Sequence, residues 1–155
     1  MQEDIYQSNI HTRVAREALT REKLQAIAKI RLRESKILLN SGSYSGAYYL
    51  CGYAVECGLK ACIAKNFKRY VFPDKEFVNN CYSHSLENLI GLADLTSDFR
   101  REKASDPYFD INWATIKDWK ETSRYEEHDG VEARDLYNAI SSRNHGVMRW
   151  VKRHW

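Results

Sequence analysis

Polar residues that break an apolar helical stripe are the first candidates for chemistry in this chain. Between residues 131 and 152, Ala133, Leu136, Tyr137, Ile140, Val147, Met148 and Val151 recur at helical spacing. Arg143 and Asn144 interrupt that stripe. A cation and an amide on an apolar face need partners, either an internal salt bridge to an acidic segment or a bound polar ligand. Glu56 and Lys60 pose the same question in the stretch 43–65, which is otherwise uncharged until its last residue. They stand i,i+4 in the favourable order, worth roughly 0.2–0.5 kcal/mol when exposed. If buried, each needs a compensating group. His84 follows Ser83 at a helix start, where it can cap or pack. Arg124, before Tyr125, can bridge a loop to Glu56 or another acid. Tyr44, Tyr48, Tyr49 and Tyr53 can stack bases, or build core and interface at helical spacing.

The cysteines do not suggest metal chemistry. Cys51, Cys57 and Cys62 share one helix at spacings of six and five, and Cys81 stands in a later connector. No CxxC or Cys/His ligand spacing is present, so no metal site is expected. Small apolar thiols kept reduced fit a cytoplasmic protein. No cofactor motif is read.

The elements that position these residues are helical. The 155 residues include only two prolines and seven glycines, which favours helices over a turn-rich β fold. The length suits one domain, with 1–19 as a polar arm or short helix and 20–155 as the folded unit. A first helix is expected over Thr20–Asn40, stopped by Asn40-Ser41-Gly42. A second starts near Ser43 and carries a small-residue stripe with Gly46, Gly52 and Gly58. Each helical glycine costs about 1 kcal/mol against alanine, so three of them imply close packing. Residues 66–82 read as an aromatic connector folded onto the surface. A third helix begins at Ser83 or Ser85, and short helices follow near 97–104 and 112–120, separated by Asp106-Pro107. The last helix is expected as one piece over 131–152, with Asp129 and Glu132 as a capping box.

Charge is uneven along the chain. Residues 1–70 hold 12 Lys/Arg against 6 Asp/Glu, residues 71–142 hold 8 against 15, and residues 143–155 hold 4 against none. The halves can complement one another, or the basic regions can bind a polyanion. The start, MQEDIYQSN, is polar and does not read as a signal peptide. Glu56 and Lys60 break the longest apolar run, so no membrane span is expected.

Several stretches then resemble the HEPN domain of prokaryotes. They are Glu34-Ser35-Lys36-Ile37-Leu38-Leu39, Gly42-x-Tyr44-x-x-Ala47-Tyr48-Tyr49-Leu50, and Gly52-Tyr53-Ala54-x-Glu56-x-x-Leu59-Lys60-Ala61. His84-x-Leu86-x-x-Leu89 and Arg124-Tyr125 add to the likeness, which covers about 20–152. The resemblance implies an all-α bundle of four to five helices, built on the N-terminal hairpin and paired as a homodimer. It implies a toxin–antitoxin or defence setting, an RNA or nucleotide ligand, and a nucleotidyltransferase antitoxin as partner.

Active members of the family are metal-independent endoribonucleases. They carry an Arg, usually followed by a polar residue, and a His after four to six intervening positions. Histidine suits proton transfer at a 2′-OH, and arginine holds phosphate with forked donors. Arg143-Asn144 matches the start of that motif, but the histidine positions hold Met148, Arg149 and Trp150. His145 is adjacent and lacks the spacing. A shifted match, Arg149 with His154, has four residues between. Three readings follow: an RNA- or nucleotide-associated protein with impaired catalysis, an active endoribonuclease, or a dimerisation adaptor.

Overall fold

The computed structural model describes residues 18–68 and 70–155, and the arm read over 1–19 lies almost wholly outside them. The described residues form eight α-helices and one 3-10 turn, with no strand. The helices are α1 (Arg21–Asn40), α2 (Tyr44–Asn66), α3 (Lys75–Cys81), α4 (Leu86–Leu92), α5 (Thr96–Ser105), α6 (Pro107–Ile116), α7 (Gly130–Ser141) and α8 (Val147–His154). The 3-10 turn, Glu121–Tyr125, lies between α6 and α7.

The expected hairpin is present. Thr20 caps α1, its Oγ1 accepting from Lys23 N at 3.2 Å. The helix stops where Gly42 takes φ +78°, a left-handed conformation that glycine adopts without strain. Leu24, Ala28, Ser35 and Leu39 form the buried face of α1. Ser35 Oγ donates to the Ala47 carbonyl at 2.7 Å, giving this buried hydroxyl a partner on α2.

Helix α2 is the pillar of the bundle. It is buried on nearly all sides from Cys51 to Ile63, as an all-round apolar helix must be. Its glycines admit other elements. A Cβ on Gly52 would lie 2.3 Å from Trp119 Nε1, and one on Gly58 would lie 2.8 Å from Val151 Cγ1. The small-residue stripe therefore receives Trp119 on one side and α8 on another. Beyond α2, an aromatic cluster joins α5, α6 and α8. Phe99 meets Trp113 edge-on at 4.7 Å and Trp150 at 5.6 Å, a favoured geometry for aromatic quadrupoles.

Three expectations are corrected. The final helix is not continuous: α7 ends at Ser141, and α8 begins at Val147. Ser142 leaves the helix at φ −48°, ψ 130°. Gly146 N then donates back to the Ser142 carbonyl at 3.0 Å. A Cβ on Gly146 would lie 2.4 Å from that same carbonyl oxygen, so the break needs glycine there. The apolar positions hide the break because Ile140, Val147 and Val151 keep steps of seven and four across it. Helix α6 starts earlier than 112: Asp106 Oδ1 accepts from Tyr108 N and Phe109 N, both at 3.1 Å, with Pro107 at the first helical position. The connector contains α3, capped by Asp74. Its aromatics do not all fold down: Phe72 is 97% exposed and Tyr82 75%. The capping box of α7 forms with Asp129 and Glu132 as expected.

Candidate nucleic-acid interface

The break between α7 and α8 changes what Arg143 and Asn144 are. They sit in an exposed turn and do not lie on a buried helix face. Arg143 lines a cleft of about 280 Å³ together with Arg149 and Lys152 of α8. Leu32 of α1, Ile140 of α7 and Met148 of α8 also line it. Among the described residues no carboxylate lines this cleft. Among the described residues none of the three cations makes an ion pair, so the expected bridge from Arg143 to the acidic segment is not formed there. Unneutralised cations around an apolar floor suit an anion with flat or apolar parts.

His145 goes the other way. Its Nδ1 lies 2.8 Å from Asp106 Oδ2, and its ring rests against Tyr108 with centroids 4.9 Å apart. Asn112 Nδ2 donates to the His145 carbonyl at 2.9 Å. Asp106 therefore caps α6 with one oxygen and holds the turn with the other. The His145 bond, helped by the Phe109 and Tyr108 N–H groups, holds the Asp106 carboxyl below its ordinary range.

Arg149 and His154 do not converge within one chain. Arg149 faces the cleft beside α1 and α7. His154 packs its ring on Trp150, centroids 5.0 Å apart, near Asp98 and Glu102 of α5. Positions five apart on a helix are about 140° apart, which accounts for the separation. Burial pushes the His154 pKa below its ordinary value. Lys65 Nζ donates to the His154 carbonyl at 3.2 Å.

Glu56, Lys60 and His84 form one ionic group. The Glu56 side chain is 2% exposed, and its Oε1 accepts from Lys60 Nζ at 2.8 Å. His84 Nδ1 lies 3.0 Å from both carboxylate oxygens. An ionised carboxylate only accepts, so that ring nitrogen carries the hydrogen. Ser85, not Ser83 or His84, caps α4. Arg124 does not reach Glu56. Its guanidinium lies 4.9 Å over the Tyr125 ring, and Tyr125 and Tyr49 push its pKa up. Tyr53 stacks parallel to Tyr49 at 6.0 Å, and Tyr48 stacks on His128 at 3.6 Å.

The cysteines are unpaired. Burial pushes Cys51 and Cys62 up to about 12 and Cys57 up to about 11, so these thiols stay protonated and are poor nucleophiles. No His/Cys/Asp/Glu group suited to a metal occurs among the described residues. Nor is any described helix long and apolar enough to cross a membrane.

Lys152, Asp106 and Asn112 are parts of these arrangements that sequence reasoning missed. Only Asp106 carried a signal, as the residue before Pro107, and that signal marked a helix boundary without its partner 39 residues away.

An all-helical bundle around a buried α2, with a basic cleft on its last two helices, defines a small helical domain suited to a polyanion. The HEPN domain family model matches residues 22–154, and the chain belongs to that family. No curated protein and no solved structure gives a significant match.

Proposed function

We propose that this HEPN chain binds RNA or nucleotide phosphates in the cleft of Arg143, Arg149 and Lys152, with little or no cleavage of its own. The observation that carries this reading is the set of three cations around one cleft, with no acid lining it among the described residues. Arginine forks grip phosphate, and the half-buried Leu32 at the cleft gives a base or ribose an apolar contact. The protein acts as a homodimer in a toxin–antitoxin or defence system in the cytoplasm, beside a nucleotidyltransferase antitoxin.

The test is RNA binding by the purified chain over a range of salt. The expected log–log slope is steep, and each cleft cation removed reduces it by roughly 0.7 for single-stranded RNA. Binding unchanged in the Arg143→Ala/Arg149→Ala/Lys152→Ala variant sinks the cleft. No binding at low salt leaves the adaptor reading in its place.

A second reading keeps an active endoribonuclease. It is favoured by the exposure of Arg149 and by its separation from His154 in one chain, which a two-fold dimer can resolve by pairing Arg149 of one protomer with His154 of its partner. RNA cleavage lost in both Arg149→Ala and His154→Ala, and restored by mixing the two variants, supports it. Cleavage that survives both substitutions removes it.

A further inference from the structure

Lys60 belongs to the Glu56 group and also opens onto a separate cavity. Its side chain is 19% exposed, against 2% for Glu56 behind it. The cavity, about 280 Å³, lies between the start of α1, the second half of α2 and α3. Leu24, Ile63, Phe67, Val78 and Cys81 are among its walls, and Lys60 is the only charged side chain among the described residues that line it. The RNA cleft shares none of these residues.

The charge arrangement selects an occupant. An ammonium has three donors, and one of Lys60's goes to Glu56 Oε1. Glu56 is also met on both oxygens by His84, so its charge is shared and does not belong to Lys60 alone. The remaining donors of Lys60 have only apolar walls and solvent around them. A ligand with an anionic head meets those donors with charge-assisted bonds, an uncharged acceptor meets them more weakly, and a cation does not meet them at all. The volume lies at the lower end of the roughly 300–1,000 Å³ of small-molecule sites. Phe67 and Tyr82 line the cavity yet are 48% and 75% exposed, surface that an occupant would cover.

We propose that this cavity binds a small apolar carboxylic acid, its carboxylate on Lys60 Nζ and its body between Leu24, Ile63 and Val78. The site is independent of RNA binding.

The experiment titrates the intact chain by calorimetry with octanoate, octanol and octylamine. Octanoate binds about tenfold or more tighter than octanol, as a charge-assisted bond implies, and octylamine does not bind. Ala64→Trp fills the cavity from the turn of α2 beyond Lys60 while keeping the ammonium, and it abolishes octanoate binding while the chain stays folded. Lys60→Met brings octanoate down to the level of octanol. If Lys60→Met fails to fold because Glu56 has lost a partner, the ligand series and Ala64→Trp decide between them. Equal affinity for octanoate and octanol overturns the proposal. So does no binding to folded wild type at millimolar ligand, and so does binding that survives Ala64→Trp.

Discussion

Nδ1 of His145 sits 2.8 Å from Oδ2 of Asp106, and this contact ties the turn between α7 and α8 to the start of α6. The same carboxylate caps α6 through its other oxygen. One side chain thus fixes a helix start and a helix break. The folded Asp106 carboxyl titrates below its ordinary 3.8. Its contribution is therefore complete at pH values above about 4 and is lost as pH falls through the lower folded value. Asp106→Asn should flatten the acid limb of a stability-versus-pH curve, and Asp106→Ala should also lose the cap, typically about 1 kcal/mol. An acid limb identical to wild type in Asp106→Asn contradicts the latch.

His154 gives a separate window. Burial lowers its folded pKa from 6.5, so the unfolded chain takes up the proton first. Stability is held above pH 6.5 and declines below it. His154→Phe should remove that decline while leaving the acid limb from Asp106 in place. Thermal melts at pH 7.5 and 5.5 check it, reading the difference between the two variants.

The Trp119 ring lies where a side chain at position 52 would go. Gly52→Ala should gain helix propensity of about 1 kcal/mol yet lose more through overpacking, which typically costs about 1–3 kcal/mol and exceeds that when a buried ring must move. Trp119→Leu combined with Gly52→Ala should recover part of the loss in a double-mutant cycle. Gly91 in α4 has open space around its missing Cβ, so Gly91→Ala should stabilise by up to about 1 kcal/mol. Denaturant midpoints of the two alanine variants should move in opposite directions.

The Glu56 group predicts an order of effects. Glu56 is the shared anchor of Lys60 and His84. Glu56→Gln should be the costlier change, because it removes the counter-charge of Lys60 and the charged acceptor of His84 together, though the solvent open to Lys60 keeps the cost below the about 3–5 kcal/mol of a fully buried pair. His84→Ala should cost less, since the Lys60–Glu56 pair remains. Chemical denaturation of both variants measures the order, and a greater loss in His84→Ala would refute the shared anchor.

The hairpin was legible because its signals are local. Thr20 and Gly42 act through their own backbone or a neighbouring turn, and the small residues of α2 announce close packing without naming the partners, Trp119 and Val151, that use it. The break at Ser142–Gly146 was not legible, because Ile140, Val147 and Val151 preserve the helical step across it. Beside the local Gly146, the turn is held by Asp106 and Asn112, more than thirty residues earlier in the chain. A separation of 28 residues likewise concealed the partner of His84. Arg143 and Arg149 were recognised as polar candidates, but Lys152 was read as a helix end. Only the fold shows that it shares their cleft.

The wall of α2 is completed last. Cys62 Sγ meets the Val151 carbonyl across 89 residues of chain at 3.7 Å, and Val151 also fills the space above Gly58. At roughly 5–20 residues per second, a ribosome needs about 4–18 s to make the intervening chain. Throughout that interval the nascent chain carries its most apolar helix with one side uncovered. Production of this protein should therefore depend on trigger-factor-like holding chaperones during synthesis, more than its small size suggests.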